Sequence, residues 1–309
     1  MTSPMFARKA KLKTHLVSAK AKLKLHVTPR RIVLLAAATF SAFLVLSTIR
    51  TLHRAAPRRT ATTTNAAVSL PVAVVECAGG KAAAVPATVA VALVHYATFG
   101  ETPRHTEEEA GAAARVLAAR APCNLLVFGL GPAAALWAAL NHGGRTLFLD
   151  TDTGGRIAAA RAAHPAGAGE LHAHPVAFRT AAITDELLAL RNSSDCVAAA
   201  AKPLSPENVE RSACALAPRG LPAAFYEAEW DVIVVEAPVP GAIYTAAVAA
   251  RARRPGTTDV LVHGVDGAAE EGFVRAFLCE GYVKEEAGRL RHFAIPSHRD
   301  DKEAMPFCP

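Results

Sequence analysis

Short apolar runs alternate with Ala-rich stretches through the middle of the chain, which is the pattern of strands alternating with helices. Segment 106–109 (TEEE) has the spacing of a capping box and predicts a helix that extends to about Arg120. Cys123–Phe128 (CNLLVF) and Arg145–Leu149 (RTLFL) predict two buried strands, and Ala133–Leu140 between them predicts a helix. The pattern therefore predicts a β-α-β unit.

The same alternation continues to the C-terminus and ends in a hairpin. The chain predicts three more strands, two more helices and two hairpin strands. In chain order these are His174–Thr180, Trp230–Glu236, Ala242–Arg253, Asp259–His263, Gly272–Leu278, Gly281–Glu286 and Arg289–Ile295. We therefore expect an α/β protein with a mostly parallel sheet and a terminal antiparallel hairpin. This is the layout of Rossmann-like class I methyltransferases, which use S-adenosylmethionine (SAM).

Candidate cofactor-binding residues follow the first two predicted strands. Gly129 and Gly131 come directly after the first strand, and Asp150 ends the second, 19 residues after Gly131. In a Rossmann unit the glycines let a cofactor approach the backbone, and an acid about 20 residues further on binds ribose hydroxyls. Asp152 either contacts the cofactor as well or is solvated. The alternative is an ordinary β-α-β turn followed by a solvated aspartate.

The formal net charge of +7 is divided unevenly along the chain. Residues 1–59 contain 13 Lys or Arg and no acidic residue, so the remainder has 21 basic and 27 acidic residues and a net charge of −6. A basic leader is thus joined to a mildly acidic domain. This division argues against a nucleic-acid-binding face on the main domain.

Residues 32–49 (IVLLAAATFSAFLVLSTI) form an 18-residue stretch without a charge. As a helix it rises about 27 Å, enough for a thin bilayer, and the excess of basic residues before it places the N-terminus in the cytosol. We expect a basic cytosolic tail (1–31), a transmembrane anchor (32–49), a stem (50–70) and a lumenal domain (71–309). The protein would then be a single-pass type II protein of the Golgi membrane. A cleaved signal peptide is the alternative.

The cysteines and one sequon bear on that topology. An oxidising lumen permits disulfides, and Cys196 and Cys214, which flank a Pro-rich loop, are the best candidate pair. No Cys or His spacing suggests zinc. Asn192 begins an N-glycosylation sequon (NSS), which matters only if the domain is lumenal. The other four cysteines are Cys77, Cys123, Cys279 and Cys308.

Several segments resemble the plant glucuronoxylan 4-O-methyltransferase family, part of a wider group of xylan-biosynthesis proteins. They are Cys123–Asp150, Tyr226–Pro238, Ala242–Arg251 and Gly288–Arg299, and LNHGGRT and GRLRHFAIPSHR are the most specific strings. The resemblance covers most of 103–309. It implies a Golgi type II enzyme that uses SAM to methylate O4 of glucuronic acid side chains of glucuronoxylan in secondary cell wall xylan biosynthesis. It also implies xylan synthesis complex members as partners.

The chain departs from the family pattern at the carboxyl ends of the predicted strands. Pro132-Ala133 stands where members commonly have His-Asp, Glu236 replaces an Asp, and the loop after Pro238 is shorter. Ligands bind at these strand ends in an open α/β sheet. The alternative function is therefore a weakened or inactive family member that acts as a scaffold of xylan biosynthesis or binds xylan.

Methyl transfer to a hydroxyl needs aligned reactants and a group that accepts the proton. Glu236 and His263 end two predicted strands and are the candidate bases, against structural roles as a rim carboxylate and a satisfied histidine. A uronic acid acceptor needs a cation, ideally an arginine. Arg291 and Arg299, on the last strand and the tail, are the candidates, against a place on a solvated face. Whether a divalent metal assists stays open.

Two other enzyme classes fit the sequence less well. A dehydrogenase more often has a third phosphate-side glycine, and here Ala134 holds that position. Asp150-Thr151-Asp152 matches the DxD string of metal-dependent glycosyltransferases. Its place directly after the second strand of a glycine-turn unit favours SAM instead.

Overall fold

Five of the predicted strands pair in parallel within a seven-stranded sheet. The structure is a computed structural model that describes residues 84–99, 103–164, 170–180, 182–200, 202–299 and 307–308. The strands are β1 (Asn124–Phe128), β2 (Arg145–Asp150), β3 (Ala173–Pro175), β4 (Val232–Val235), β5 (Thr257–Val262), β6 (Val283–Ala287) and β7 (Leu290–Pro296). Their order is β3-β2-β1-β4-β5-β7-β6, and β7 is antiparallel to both β5 and β6. The predicted mixed α/β fold with its terminal hairpin is therefore confirmed.

The predicted tail (1–31), anchor (32–49) and stem (50–70) lie outside the described residues. The residues that the structure does describe all belong to one compact unit, Val75–Pro309. None of the helices described there is long and apolar enough to cross a membrane.

Helices cover both faces of the sheet because successive strand residues point to opposite sides. Leu125 and Val127 of β1 pack with the first four helices, whereas Leu126 and Phe128 pack with the later ones. The helices are α1 (Ala87–Thr98), α2 (Glu107–Arg120), α3 (Ala134–Leu140), α4 (Arg156–Ala163), α5 (Asp185–Ala189), α6 (Ser194–Ala200), α7 (Ala223–Tyr226), α8 (Pro240–Ala252) and α9 (Ala268–Leu278). The sheet is thus the middle layer of three.

The start of α2 is as predicted from the sequence, whereas other elements differ from the prediction. The predicted capping box is present: the Glu109 N–H donates to Thr106 Oγ1 (3.2 Å), and the Thr106 N–H donates to Glu109 Oε2 (2.9 Å). Helix α1 and the helices α4 to α7 have no counterpart among the predicted elements. The third strand is three residues long rather than the predicted His174–Thr180. The Val176 N–H makes the last bond of this ladder, to the Asp150 carbonyl (2.8 Å), and Ala177 then pairs with Arg219 instead.

Two disulfides close loops around the later helices. One joins Cys196 and Cys214, the pair that the sequence predicts, across 18 residues. The other joins Cys279 to Cys308 and holds the buried Phe307 against the core. Cys123 is a buried free thiol, and Cys77 lies outside the described residues.

Candidate active site

A cavity opens at the carboxyl ends of β1, β2 and β4. The strand order reverses between β1 and β4, and such a switch point is where open α/β sheets bind their ligands. Gly129 and Gly131 follow β1, Asp150 ends β2 and Glu236 follows β4, and all four line this cavity. The parallel strands thus bring together four of the residues predicted from the sequence.

The cavity has a volume of about 170 Å³. Pockets that hold cofactor-sized ligands are larger, about 300–1,000 Å³. Two arginines, Arg104 and Arg156, line the cavity, and about half of each side chain is exposed. The cavity is thus small, and its wall includes two partly exposed cations.

Gly129 brings the end of β1 close to the end of β4. Its φ is +105°, and a Cβ placed there would lie 2.8 Å from Cβ of Glu236. A side chain at this position would be strained and would collide with Glu236. The glycine turn therefore leaves room for a ligand and also allows the two strand ends to approach.

Asp150 is buried at the end of β2 and holds the glycine turn in place. Its Oδ2 accepts a hydrogen bond from the Leu130 N–H (2.7 Å), and its Oδ1 accepts one from the Asp152 N–H (2.7 Å). Arg156 donates to the same Oδ1 from Nη2 (2.7 Å) and Nε (3.0 Å). Within the described residues Oδ2 accepts this one hydrogen bond, so it can accept a second, such as one from a ribose hydroxyl.

Asp152 does not line the cavity, so the prediction that it binds the cofactor needs correction. Its φ is +50°, and its Oδ1 accepts a hydrogen bond from the Ile157 N–H (2.8 Å) at the start of α4. The bond satisfies an N–H of the first turn of α4, whose N-cap residue, Gly155, has no side chain that could do so. The structure thus gives Asp152 a structural role.

Glu236 accepts hydrogen bonds from three side chains while buried to 4% exposure. Trp137 Nε1 donates to Oε1, whereas His105 Nε2 (3.0 Å) and Arg104 Nε (3.2 Å) contact Oε2. Burial raises the pKa of the Glu236 carboxyl, but hydrogen bonds from His105 and Trp137 outweigh it and hold that pKa below its usual value. Glu236 is therefore ionised at neutral pH.

His263 lies beneath the cavity and is 1% exposed. Its ring centroid is 4.1 Å from that of His105, and neither of its ring nitrogens has a hydrogen-bond partner within the described residues. Burial, followed by the charge of His105, lowers the pKa of His263 to about 3, so its ring is neutral. His263 is not part of the cavity wall, and the structure does not support it as the general base.

Arg104 and His105 are site residues that sequence reasoning missed. They directly precede the capping box of α2, and that position is held by the hairpin turn. There, Glu109 Oε1 accepts from the Arg289 N–H (2.8 Å), and Arg289 Nη2 donates to the Arg104 carbonyl (2.8 Å). The capping box was the available signal in the sequence. It marks the start of α2, and the residues just before a helix that starts at this edge lie near the strand ends.

The two predicted acceptor-binding arginines both lie outside the cavity wall. Arg291 is opposite Val262 at the end of β5 and donates to Glu271 Oε2 (2.9 Å). Arg299 lies at the other edge of the sheet and contacts Glu229 (3.3 Å). The physical reason is that β7 runs antiparallel, so the chain after it returns to the amino ends of the parallel strands. Arg299 is therefore excluded from this cavity, and Arg291 is held in an ion pair beside it.

The structure also bears on the predicted glycosylation site and on the question of a metal. Asn192 is exposed at the end of a single 3₁₀ turn, so its side chain is accessible. Among the described residues, no group of three or more His, Cys, Asp or Glu is arranged to hold a metal ion.

The sheet order and the cavity at its switch point define the general class, a Rossmann-like α/β protein with its ligand site at the carboxyl edge. Within that class, the family model described as IRX15/IRX15L/GXM matches residues 108–293, and the chain belongs to this family. No solved structure matches the chain.

Curated relatives in Arabidopsis thaliana agree with this assignment. Glucuronoxylan 4-O-methyltransferase 3 is 44% identical over 234 residues, 72% of this chain and 74% of the relative. Arabinogalactan O-methyltransferase 2 is 39% identical, over 70% of this chain and 76% of the relative. Protein IRREGULAR XYLEM 15 is 33% identical, over 72% of this chain and 70% of the relative.

Proposed function

We propose that this protein is a SAM-dependent O-methyltransferase that methylates O4 of glucuronic acid side chains of glucuronoxylan. One observation carries the proposal: three relatives named as glucuronoxylan 4-O-methyltransferases are 42–44% identical over 72% of this chain. The arabinogalactan O-methyltransferases and the irregular-xylem proteins are less similar, at 39% and 33%. The identity therefore favours the glucuronoxylan acceptor.

The residues of the cavity fit SAM, which supplies an electrophilic methyl group when bound. Asp150 offers a carboxylate oxygen where a ribose would lie, and Gly129 and Gly131 leave the backbone open to a ligand. Phe178 and Val239 add an apolar side to the wall, which suits an adenine ring. The layout of the sheet is that of the class I methyltransferases, and we assign the cofactor site to these residues.

Glu236 is the residue that we assign to the acceptor hydroxyl. In-line transfer needs the hydroxyl to lose its proton as the bond to the methyl carbon forms. Glu236 lines the cavity, is ionised, and within the described residues accepts one hydrogen bond at Oε1, so this oxygen has a free acceptor position. Trp137, His105 and Arg104 fix the carboxylate, and its Oε1 receives the proton.

We also propose the topology expected from the sequence. The uneven charge of residues 1–59 and the uncharged stretch 32–49 support a type II protein of the Golgi membrane, with residues 71–309 in the lumen. Disulfides such as Cys196–Cys214 suit an oxidising compartment, and exposed Asn192 would be accessible to glycosylation there. Members of a xylan synthesis complex remain the expected partners.

The test uses the purified full-length chain and two readouts. Calorimetry measures SAM binding, and transfer of a labelled methyl group is compared on glucuronoxylan and on arabinogalactan. We expect SAM binding and a higher kcat/KM on glucuronoxylan. Failure to bind SAM would contradict the enzymatic function. Faster transfer to arabinogalactan would reassign the acceptor, and SAM binding without transfer to either would favour the scaffold alternative.

A further inference from the structure

The cavity wall contains two cations with different surroundings. Among the described residues that line it, these are Arg104 and Arg156. Arg156 is bound at Asp150 and at Thr151 Oγ1 (3.1 Å), on the β2 side. Arg104 lies on the β4 side, next to Glu236. The second cation is therefore the one beside the proposed acceptor site.

Arg104 is held firmly but has donors to spare. Its Nε contacts Glu236 Oε2 (3.2 Å), and its Nη2 donates to the Glu236 carbonyl (2.8 Å). Nη1 makes no hydrogen bond in the part of the chain that the structure describes, and 46% of the side chain is exposed. A guanidinium has five N–H donors in a planar fork, so Arg104 can bind a second carboxylate without leaving Glu236.

The chemistry of a uronic acid relates these two residues directly. The reacting O4 is on C4 of the sugar ring, and the carboxylate is on the neighbouring carbon C5. A group that accepts the O4 proton and a cation that binds the carboxylate must therefore be neighbours in the protein. Arg104 and Glu236 are in direct contact at this edge of the sheet.

We propose that Arg104 binds the carboxylate of the acceptor uronic acid and so determines the specificity of the enzyme for uronic acids over neutral sugars. This inference rests on the proposed function, because it takes Glu236 as the group that faces O4. The carbonyl of Arg104 is bound by Arg289 (2.8 Å), so the backbone at the arginine is fixed before any acceptor arrives. The protein thus contributes an ordered cation rather than a mobile surface charge.

The test compares the full-length wild type with Arg104→Gln on two acceptors. The first is glucuronoxylan, and the second is the same polymer with its uronic acid carboxyls chemically reduced to primary alcohols, which leaves O4 unchanged. We expect Arg104→Gln to lower kcat/KM on glucuronoxylan by about 10- to 100-fold, the effect of losing a charged hydrogen-bonded pair. On the reduced polymer only the contact of Arg104 with Glu236 is lost, so the loss of kcat/KM there should be about tenfold smaller than on glucuronoxylan.

Two further variants sharpen the result. Arg104→Lys keeps the charge but not the fork, so its preference for glucuronoxylan should be intermediate. Arg115→Gln is the matched control, since Arg115 is an exposed arginine on α2 that contacts Glu285 and does not line the cavity. Its preference should equal that of the wild type.

In the kinetic and SAM-binding measurements, two outcomes would overturn the role of Arg104. One is an equal loss on both acceptors, and the other is a tenfold or greater weakening of SAM binding, which would assign Arg104 to the cofactor. Binding of glucuronoxylan oligosaccharides in the presence of S-adenosylhomocysteine is measured in parallel. If the wild type binds but transfers no methyl group, the proposed function fails, while weaker binding by Arg104→Gln still supports the carboxylate site. Equal binding by both proteins would overturn it.

Discussion

Each edge of the parallel sheet contains a buried carboxylate bound by an arginine and a histidine, but the surroundings of the two groups differ. At the amino edge, buried Asp259 accepts hydrogen bonds from Arg120 (2.7 Å) and His292 (2.8 Å). At the carboxyl edge, Glu236 is bound by an arginine and a histidine in a similar way. The carboxyl edge also contains His263, whose two ring nitrogens have no partner within the described residues.

The difference shows how a structural ion pair is distinguished from a site. No cavity-lining residue comes from the Asp259 group, whereas Glu236 faces a cavity that the glycine turn keeps open. Buried polar groups are normally paired, and the exceptions tend to have a functional explanation. The cavity beside Glu236 therefore marks the carboxyl edge as the functional edge of the sheet.

Replacing Glu236 should give the largest effect on activity. In Glu236→Gln, which keeps the size of the side chain but cannot take the proton, we expect kcat to fall by about 10²- to 10⁴-fold. SAM affinity should change little, and the free energy of unfolding should fall by about 2–3 kcal/mol, because the hydrogen bonds of a buried carboxylate to Arg104 and His105 weaken. Methyl-transfer kinetics with calorimetry measure this, and a kcat within tenfold of the wild type would remove Glu236 from the proposed chemistry.

The equivalent change at the amino edge should lower the stability of the protein and leave its activity close to that of the wild type. Asp259→Asn weakens two charge-assisted hydrogen bonds of a buried group, so the free energy of unfolding should fall by about 2–3 kcal/mol. Since no residue of this group lines the cavity, kcat and SAM affinity should stay close to those of the wild type. Urea denaturation and steady-state kinetics measure the two quantities. If activity fell as strongly as in Glu236→Gln, the distinction between the edges would be wrong.

Asp150 and Asp152 lie in one loop, and we assign only Asp150 to the cofactor. Asp150→Asn should raise the dissociation constant of SAM by about 10- to 100-fold, because the carboxylate that faces the proposed ribose loses its charge. Asp152→Asn should leave that constant unchanged, since Asp152 caps α4 instead. Calorimetric titration of both variants is the measurement. Unchanged affinity in Asp150→Asn would place the cofactor elsewhere.

The smallest effect should be a pH dependence that comes from His263. Because its folded pKa is about 3, below about 6.5 in the unfolded chain, the unfolded state binds more protons between these values. Stability should therefore fall with pH below about 6.5, by up to about 2 kcal/mol between pH 7 and pH 5. Burial, His105 and Arg104 lower this pKa, while Glu236 and Glu109 raise it.

His263→Phe removes the titrating group and keeps a ring against His105. Its loss of stability between pH 7 and pH 5 should be smaller than that of the wild type by about 1–2 kcal/mol. Urea denaturation at several pH values compares the two proteins. If the free energy of unfolding fell equally in both proteins between pH 7 and pH 5, His263 would contribute nothing to the loss of stability in acid.

The residues that sequence analysis placed correctly are those fixed by local pattern and strand direction. Gly129 and Asp150 follow apolar runs that could only be neighbouring parallel strands, so their meeting at one edge was predictable. Arg104 and His105 were missed because their partner, Glu236, is more than 130 residues away in the chain. The capping box indicates where the two residues lie, but no local pattern encodes which side chain they contact.

Arg299 shows a different kind of error. The hairpin was predicted, but the consequence of its direction was not applied to the residues that follow β7. An antiparallel last strand returns the chain to the amino edge, where Arg299 contacts Glu229. Asp152 was ambiguous for another reason, since a helix cap and a ligand-binding acid have the same residue type and almost the same position.

The close approach of Gly129 to Glu236 has a consequence for mutational scanning. Any side chain at position 129 would be strained at a φ of +105° and would press on Glu236 from 2.8 Å, whether or not a cofactor is bound. A library screened for folding alone should therefore already be depleted of substitutions at this position. Intolerance there would report how closely two strand ends fit together, and a scan must be screened against SAM separately before position 129 is counted as a cofactor contact.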